Sequence, residues 1–281
     1  MSIQEAFDAI VKRSGEAIRI NEGDYIGENG LLYCCKCNTP KQTEVSFQGK
    51  VRRPYCLCKC EVEREEAEEQ AKKQAEFDNR VKAMRKSGFP DADMLNWTFA
   101  NDDMENERIT KAMKRYVENF GEFRKDGKGL LLYGNVGRGK TYAACEVANA
   151  LVDKGIPVLV TNFARIVNAL QNTFEGRQDY IDSLNSYALL VIDDLSAERD
   201  TAYMKEQIFQ VIDARYRAKK PMIITTNLSI DEIKRANDID YGRIYDRIIE
   251  RCFPIEVTGI NRRHKVVRET YGDMRDMLGL D

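Results

Sequence analysis

The sequence predicts an α/β fold in which a parallel sheet lies between helices, preceded by a small cysteine-rich module and a long charged helix. Three observations predict it. Short apolar runs at residues 129–133 (GLLLY), 157–161 (PVLVT), 188–193 (ALLVID), 221–226 (PMIITT) and 253–257 (FPIEV) alternate with segments of helical period. Continuous apolar runs separated by helices are the mark of strands buried on both faces of a parallel sheet. Six of the eight cysteines fall between Cys34 and Cys60. Residues 61–86 are dense in Glu, Lys, Arg, Ala and Gln and hold no Gly or Pro, the composition of a long exposed helix, which SGFP at 87–90 should end.

The chain's bulk properties narrow the function classes. Its 281 residues exceed the roughly 100–200 of one ordinary domain, so two domains are expected. With 32% charged and 43% hydrophobic residues, it reads as soluble and globular. A formal charge of −2 provides no global positive field, so any nucleic-acid contact must rest on a local patch. The longest strongly apolar run, 187–192, is far short of the ~20 residues that span a bilayer, and the amphipathic start MSIQEAFDAIVKR lacks the apolar core of a signal peptide. A cytoplasmic protein without membrane contact is expected. One histidine, His264, stands among arginines, which excludes histidine triads and His-rich metal sites.

GNVGRGKT at 134–141 carries the most specific chemistry. It fits G-x-x-x-x-G-K-[ST] between a buried run and a helical segment, the setting in which backbone N–H groups wrap phosphate oxygens at a helix N-terminus. Gly134, Asn135, Val136, Gly137, Arg138, Gly139, Lys140, Thr141 and Tyr142 would form this cradle. Lys140 would bridge the β- and γ-phosphates of ATP and the Thr141 hydroxyl would ligate Mg²⁺. LLVIDDL at 189–195 supplies the carboxylates such a site needs where a buried strand emerges. Asp193 is expected to hold magnesium. Asp194 is expected to polarise the attacking water, with Glu198 able to share that role; capping of the next helix is the alternative for Asp194. Asn227, closing ITTNL at 224–228, would sense the nucleotide from the side. Arg243, Arg247 and Arg251 recur at i, i+4, i+8. Arg247 is the expected charge donated to a neighbouring subunit's phosphate, and Arg262 and Arg263 are placed to reach the γ-phosphate within the chain.

These elements, in this order, resemble the bacterial and phage replicative helicase loaders of the DnaC/DnaI type. The resemblance covers about residues 98–270 and is carried by GNVGRGKT, LLVIDDLSAER, EQIFQVIDARY, KPMIITTNL, GRIYDRIIERC and GINRRH. It implies the AAA+ ATPase fold, an arginine finger at Arg247 and a second sensor arginine at Arg263 by its spacing from Gly259. The Asp-Asp pair is shared with that family, whereas Ser196 stands where the family usually has Gly. The implied function is ATP-dependent binding of a hexameric replicative DNA helicase and its placement on single-stranded DNA, with the loader itself a homo-oligomer on the helicase. Transposition helper ATPases of insertion sequences share the motor and remain an alternative, as does a nucleotide-switched adaptor with slow hydrolysis. The cysteine-rich front end, which also looks like that of prophage-encoded loaders, favours the loader.

Cys34-x-x-Cys37 followed by Cys56, Cys58 and Cys60 has the form of a four-thiolate zinc site. Cys34 and Cys37 form the clear pair, Cys58 and Cys60 are chosen as the second with Cys56 as the substitute, and Cys35 is left out. Between residues 31 and 60, six basic side chains (Lys36, Lys41, Lys50, Arg52, Arg53, Lys59) face one acidic, Glu44. That surplus would contact single-stranded DNA or an acidic face of the helicase. The expected organisation is a zinc-binding module at 1–60, with an amphipathic helix at its start, a helical linker at 61–97 and an ATPase domain at 98–281.

Overall fold

The computed structural model describes residues 20–47, 49–172, 176–195, 202–235 and 239–262, together with 271, 274, 275 and 277–279. The expected amino-terminal amphipathic helix lies outside the described residues. The chain divides into two compact units, Met1–Asp78 and Asn79–Asp281.

In the first unit two short antiparallel ladders, β1 (Tyr25–Ile26) with β2 (Leu32–Tyr33) and β3 (Val45–Phe47) with β4 (Lys50–Arg52), surround the cysteines. So little sheet buries little apolar surface, and a small unit of this kind relies on other ties. Helix α1 (Lys59–Gly88) begins at the cysteines. It is polar on almost every face and supported by i,i+4 pairs such as Lys59–Glu63 and Glu69–Lys73. From Asn79 onward the helix belongs to the second unit, where Val81 and Met84 pack on the core and a Cβ on Gly88 would fall 2.4 Å from the Val158 carbonyl oxygen.

The second unit is built on five parallel strands: β5 (Gly129–Tyr133), β6 (Val158–Asn162), β7 (Leu189–Asp193), β8 (Met222–Thr226) and β9 (Cys252–Glu256), in the order β6-β7-β8-β5-β9. All five arise from the apolar runs, and β5, β7 and β8 are buried along almost their whole length. Helices α2 (Glu107–Glu118) and α4 (Lys140–Asp153) cover one face; α5 (Phe163–Asn172), α6 (Arg177–Leu184), α7 (Ala202–Arg217), α8 (Ile230–Lys234) and α9 (Ile239–Arg251) cover the other. The parallel sheet between helices is the architecture the sequence implied. Among the described residues β9 stands at the sheet edge, paired with β5, so Pro254, which has no N–H to donate, sits where a missing ladder bond costs least.

The strand order decides where the chemistry gathers. β8 is inserted between β5 and β7, so the residues that follow β5, end β7 and follow β8 meet along one carboxyl edge. Elsewhere local contacts refine the expected elements. The helical stretch beginning at Glu107 breaks at Asn119, whose side chain donates to the Arg115 carbonyl at 2.9 Å. The short helix α3 (Phe120–Asp126) then folds back, stacking Phe123 on Tyr116 with ring centroids 4.9 Å apart. A 3-10 turn at Ala92–Asn96 is fastened to α4 by buried Asn149, which donates to the carbonyls of Met94 (2.8 Å) and Trp97 (3.0 Å). No described helix is long and apolar enough to cross a membrane.

Candidate functional site

The loop from Gly134 to Gly139 leaves the buried end of β5 and enters α4. Gly134, Gly137 and Gly139 all take positive φ (132°, 78° and 90°), the region closed to most side chains. Space is denied as well: a Cβ on Gly134 would lie 2.7 Å from the Val257 carbonyl oxygen and one on Gly137 2.1 Å from Asn261 Oδ1. Asn135 and Val136 are exposed at the tip, and Arg138 is half-buried. Gly139 occupies the cap position of the fourteen-residue helix α4, whose first N–H groups and dipole make the loop a receptor for anions. Lys140 is buried, and its ammonium donates to the carbonyls of Gly134 (2.7 Å) and Asn135 (2.9 Å) and to Asn227 Oδ1 (2.8 Å).

The carboxylates approach from β7. Thr141 donates its hydroxyl to Asp193 Oδ1 at 2.8 Å, so these two oxygens already share one location. Thr225, on β8, donates to the same carboxylate oxygen at 2.6 Å and accepts the Asp194 N–H at 2.9 Å. Asp194 has φ of 57°, a left-handed conformation that Asp tolerates better than most residues. Its Oδ1 accepts from Asn227 Nδ2 at 3.4 Å, completing a chain from Lys140 through Asn227 to Asp194. The structure thus brings Lys140, Thr141, Asp193, Asp194 and Asn227 together. Thr225 was not singled out from the sequence, although it lies two residues before Asn227 in ITTNL. Glu198 and Arg263 lie outside the described residues, as does Ser196.

Beside the loop a small pocket opens over the face of α4 that carries Gly139, Tyr142, Ala143 and Glu146. Tyr142 stacks beside Trp97, with centroids 5.8 Å apart, and its hydroxyl donates to the Thr98 carbonyl at 3.4 Å. Arg262 closes the other side. Its guanidinium lies 5.4 Å from the Tyr142 ring centre and pairs with Asp102 (3.3 Å) and Asp103 (2.8 Å), while the backbone N–H of Arg262 donates to the Gly137 carbonyl at 2.9 Å. Glu146 is 2% exposed, and its Oε1 is sealed from solvent with no hydrogen-bond partner. Burial, reinforced by the charge of Asp102, pushes its carboxyl up to about 8, so it is protonated at neutral pH.

Comparison with known proteins fits this geometry. The model of the family described as IstB-like ATP binding protein matches residues 59–270. The chain belongs to that family. The replicative helicase loader DnaI of Bacillus subtilis (strain 168) is 26% identical over 212 residues, 69% of this chain and 67% of DnaI. The replicative helicase loader DnaC of Escherichia coli (strain K12) is 28% identical over 144 residues, which span 50% of this chain and 59% of DnaC. A crystal structure of DnaI superimposes with a TM-score of 0.51 at 25% identity, covering 63% of this chain and 95% of that one. The AAA+ reading of the α/β unit agrees with this match, and the IstB-like core contains every residue of the cradle.

Within the same core the arginines of α9 are engaged. Arg247 donates from Nε to Asp213 Oδ1 at 2.6 Å and lies over the rings of Phe209 (4.5 Å) and Tyr216 (5.7 Å). Arg251 covers Tyr216 at 4.6 Å, and Arg243 is exposed. The expected arginine row is therefore one exposed side chain followed by two stacked on aromatic rings.

Of the four-cysteine cluster only Cys60 falls within the matched IstB-like residues. The Sγ atoms of Cys34, Cys37, Cys58 and Cys60 all lie within 4.8 Å of one another. A tetrahedral zinc with Zn–S near 2.3 Å needs sulfurs about 3.8 Å apart, so the donor set fits that ion in number, softness and spacing. The Thr39 hydroxyl, 3.0 Å away, holds Cys37 down to about 5, while burial pushes Cys58 up to about 12. Cys35 and Cys56 turn aside to the carbonyls of Glu22 and Pro40. One expectation about charge is corrected. Lys41, counted among the surface cations, is fully buried, pairs with Asp24 at 2.7 Å and Glu61 at 3.7 Å, and draws Asp24 down to about 2. The surface patch is left with Lys36, Lys50, Arg52, Arg53 and Lys59, all exposed, with Arg53 paired to Glu44.

Proposed function

We propose that the chain is an ATP-dependent loader that engages a hexameric replicative DNA helicase and places it on single-stranded DNA. The observation that carries this reading is the hydrogen-bonded chain Lys140–Asn227–Asp194 beside Thr141–Asp193. In this reading Lys140 would contact phosphate, the oxygens of Thr141 and Asp193 would bind magnesium and Asp194 would orient water, all within one cluster at the mouth of the loop. Thr141 and Asp193 would hold Mg²⁺, which when bound neutralises charge on the β- and γ-phosphates. Asn227, touching both Lys140 and Asp194, would report the state of the γ-phosphate to β8. The partner is supported by similarity to loaders whose names specify a replicative helicase.

We assign the ATPase to residues 98–281, the spacer to 61–97, and contact with the helicase or the single strand to residues 1–60, where Cys34, Cys37, Cys58 and Cys60 would hold a structural Zn²⁺. The protein would act in the cytoplasm as a homo-oligomer seated on the helicase ring. A second reading, a nucleotide-switched adaptor that hydrolyses slowly, is favoured by the ion pair that keeps Arg247 on its own chain. Copurification with a hexameric helicase, followed by ATP turnover with and without helicase and single-stranded DNA, separates the two. Stimulated turnover supports the loader. Tight ATP binding with unstimulated, negligible turnover supports the adaptor, and capture of a transposase in place of a helicase would replace both with the transposition helper.

A further inference from the structure

We propose that the apolar groove where β9 begins is a docking seat for a second copy of this chain, filled by apolar side chains from residues 271–278 of that copy. The inference rests on the reading of Arg247 as serving a neighbouring copy, and it names a contact that the neighbour makes in return.

The groove has a volume of about 690 Å³ and lies between α2, α3, the end of α9 and the first residues of β5 and β9. Tyr116, Leu130 and Cys252, all buried, line its depth. The Tyr116 hydroxyl is engaged by the Lys128 carbonyl at 2.9 Å and the Cys252 thiol by that of Met222 at 3.6 Å, so the depth offers an occupant little but carbon. Phe253 stands at the mouth, 70% exposed on the edge strand, beside Pro254. Arg115, Lys128 and Arg251 charge the rim, and the acid among the lining residues, Glu250, is turned to the Tyr216 hydroxyl at 2.8 Å. An apolar seat with a basic rim suits an apolar segment that carries acids.

The chain presents such a segment. Tyr271, Met274 and Leu278 recur at i, i+3, i+7, the spacing of one helical face, with Met277 beside them, and all four are exposed on their own chain. Unpartnered apolar side chains grouped in this way mark a contact surface. Between residues 271 and 281, three acids (Asp273, Asp276, Asp281) face one base (Arg275), a formal charge of −2 that complements the rim. Position selects a second copy over the segment's own chain. Arg262, whose backbone N–H is held by Gly137, leaves the nucleotide loop at the carboxyl end of the strands, whereas the groove opens where β9 starts, at their other end. When Arg247 reaches a neighbour's phosphate, that neighbour's Arg262 comes up to α9, whose last turn, one turn beyond Arg247, walls the groove. The eight residues from 263 to 270 can reach up to roughly 27 Å, enough to carry the stripe into it.

The test is photo-cross-linking from Met277→p-benzoylphenylalanine in the full chain, mixed equally with ¹⁵N-labelled unaltered chain and Mg-ATP. The probe is expected to join to labelled peptides that carry Phe123 or Phe253. Cross-links confined to unlabelled peptides would place the segment on its own chain and overturn the proposal, as would cross-links to another surface, to an added helicase in place of the groove, or none at all. Phe253→Asp and Leu278→Asp alter exposed side chains, so both should keep the thermal transition while weakening self-association in sedimentation at least about tenfold. Unchanged association in both variants would overturn the proposal too. Its failure is distinct from that of the Arg247 reading. If mixing Arg247→Ala with Lys140→Ala restores turnover but no groove cross-link forms, only the docking falls; a groove cross-link without restored turnover keeps the docking and removes Arg247 from the neighbour's site.

Discussion

The ammonium of Lys140 is held at the mouth of the loop by uncharged oxygens of Gly134, Asn135 and Asn227, where a bound phosphate would meet it. Lys140→Ala should therefore lower ATP affinity by roughly 100-fold, the scale of a charge-assisted contact, without unfolding the chain. Titration calorimetry beside a thermal melt checks both halves. Asp193→Asn should behave differently. It keeps the shape at Thr141 and Thr225, so binding should survive while the magnesium dependence of turnover disappears; normal magnesium-dependent hydrolysis in this variant would remove Asp193 from the metal site. Glu146 gives a prediction about pH. Its folded value of about 8 lies above the ordinary 4.5, so the folded state holds a proton that the unfolded state has released between those values. Its contribution to stability is fully present below about 4.5 and is lost as pH rises through about 8. Urea unfolding at pH 6 and pH 9 should show this decline, and Glu146→Gln should flatten it.

Among the elements, α7 is tied to the sheet by Arg215, the largest of the fully buried side chains. Its guanidinium donates to the carbonyls of Leu184, Tyr187, Ala188 and Pro221, where α6 ends and where β7 and β8 begin. Burial lowers it to about 10, which still leaves it charged at neutral pH. Arg215→Met should cost about 3 kcal/mol or more, because four carbonyls, three of them in buried contacts, lose a donor that an apolar side chain cannot replace. The midpoint of urea unfolding reads that loss. Elements of this kind were legible in the sequence where signals are local: each of the five apolar runs became a strand, and the glycines of GNVGRGKT fell where positive φ is needed. What stayed hidden depends on partners far apart in the chain. Arg215 in EQIFQVIDARY reads as one more helical arginine, and Lys41 as a surface cation. Thr225 acquires meaning only once β8 lies against β7, and the orphaned oxygen of Glu146 only once Tyr142 and Arg262 close over it. The break at Asn119 has no local mark in the sequence, because residues 107–123 carry no Pro and Gly121 lies past the turn.

For the whole molecule, the division into two compact units predicts that each responds to its own ligand. The purified chain should carry one zinc. Cys37→Ser should lose the metal and render residues 31–60 sensitive to protease while the α/β unit keeps its thermal transition; a metal-free native protein would rule the zinc out. Assembly is tested at Arg247. Arg247→Ala should bind ATP almost normally yet turn it over about 10³-fold more slowly, and mixing it with Lys140→Ala should restore part of the activity through interfaces that join an intact loop to an intact arginine. The ion pair with Asp213 then takes on a meaning of its own. An arginine that must leave a partner at home before it can serve a neighbour would work as an interlock: a solitary chain would idle with its nucleotide, and only crowding on a common scaffold would draw the catch. The apparent association constant would then be the intrinsic one multiplied by the fraction of time that Arg247 spends away from Asp213. Loosening that latch with Asp213→Asn should bring ATP turnover on at lower protein concentration, trading restraint for speed.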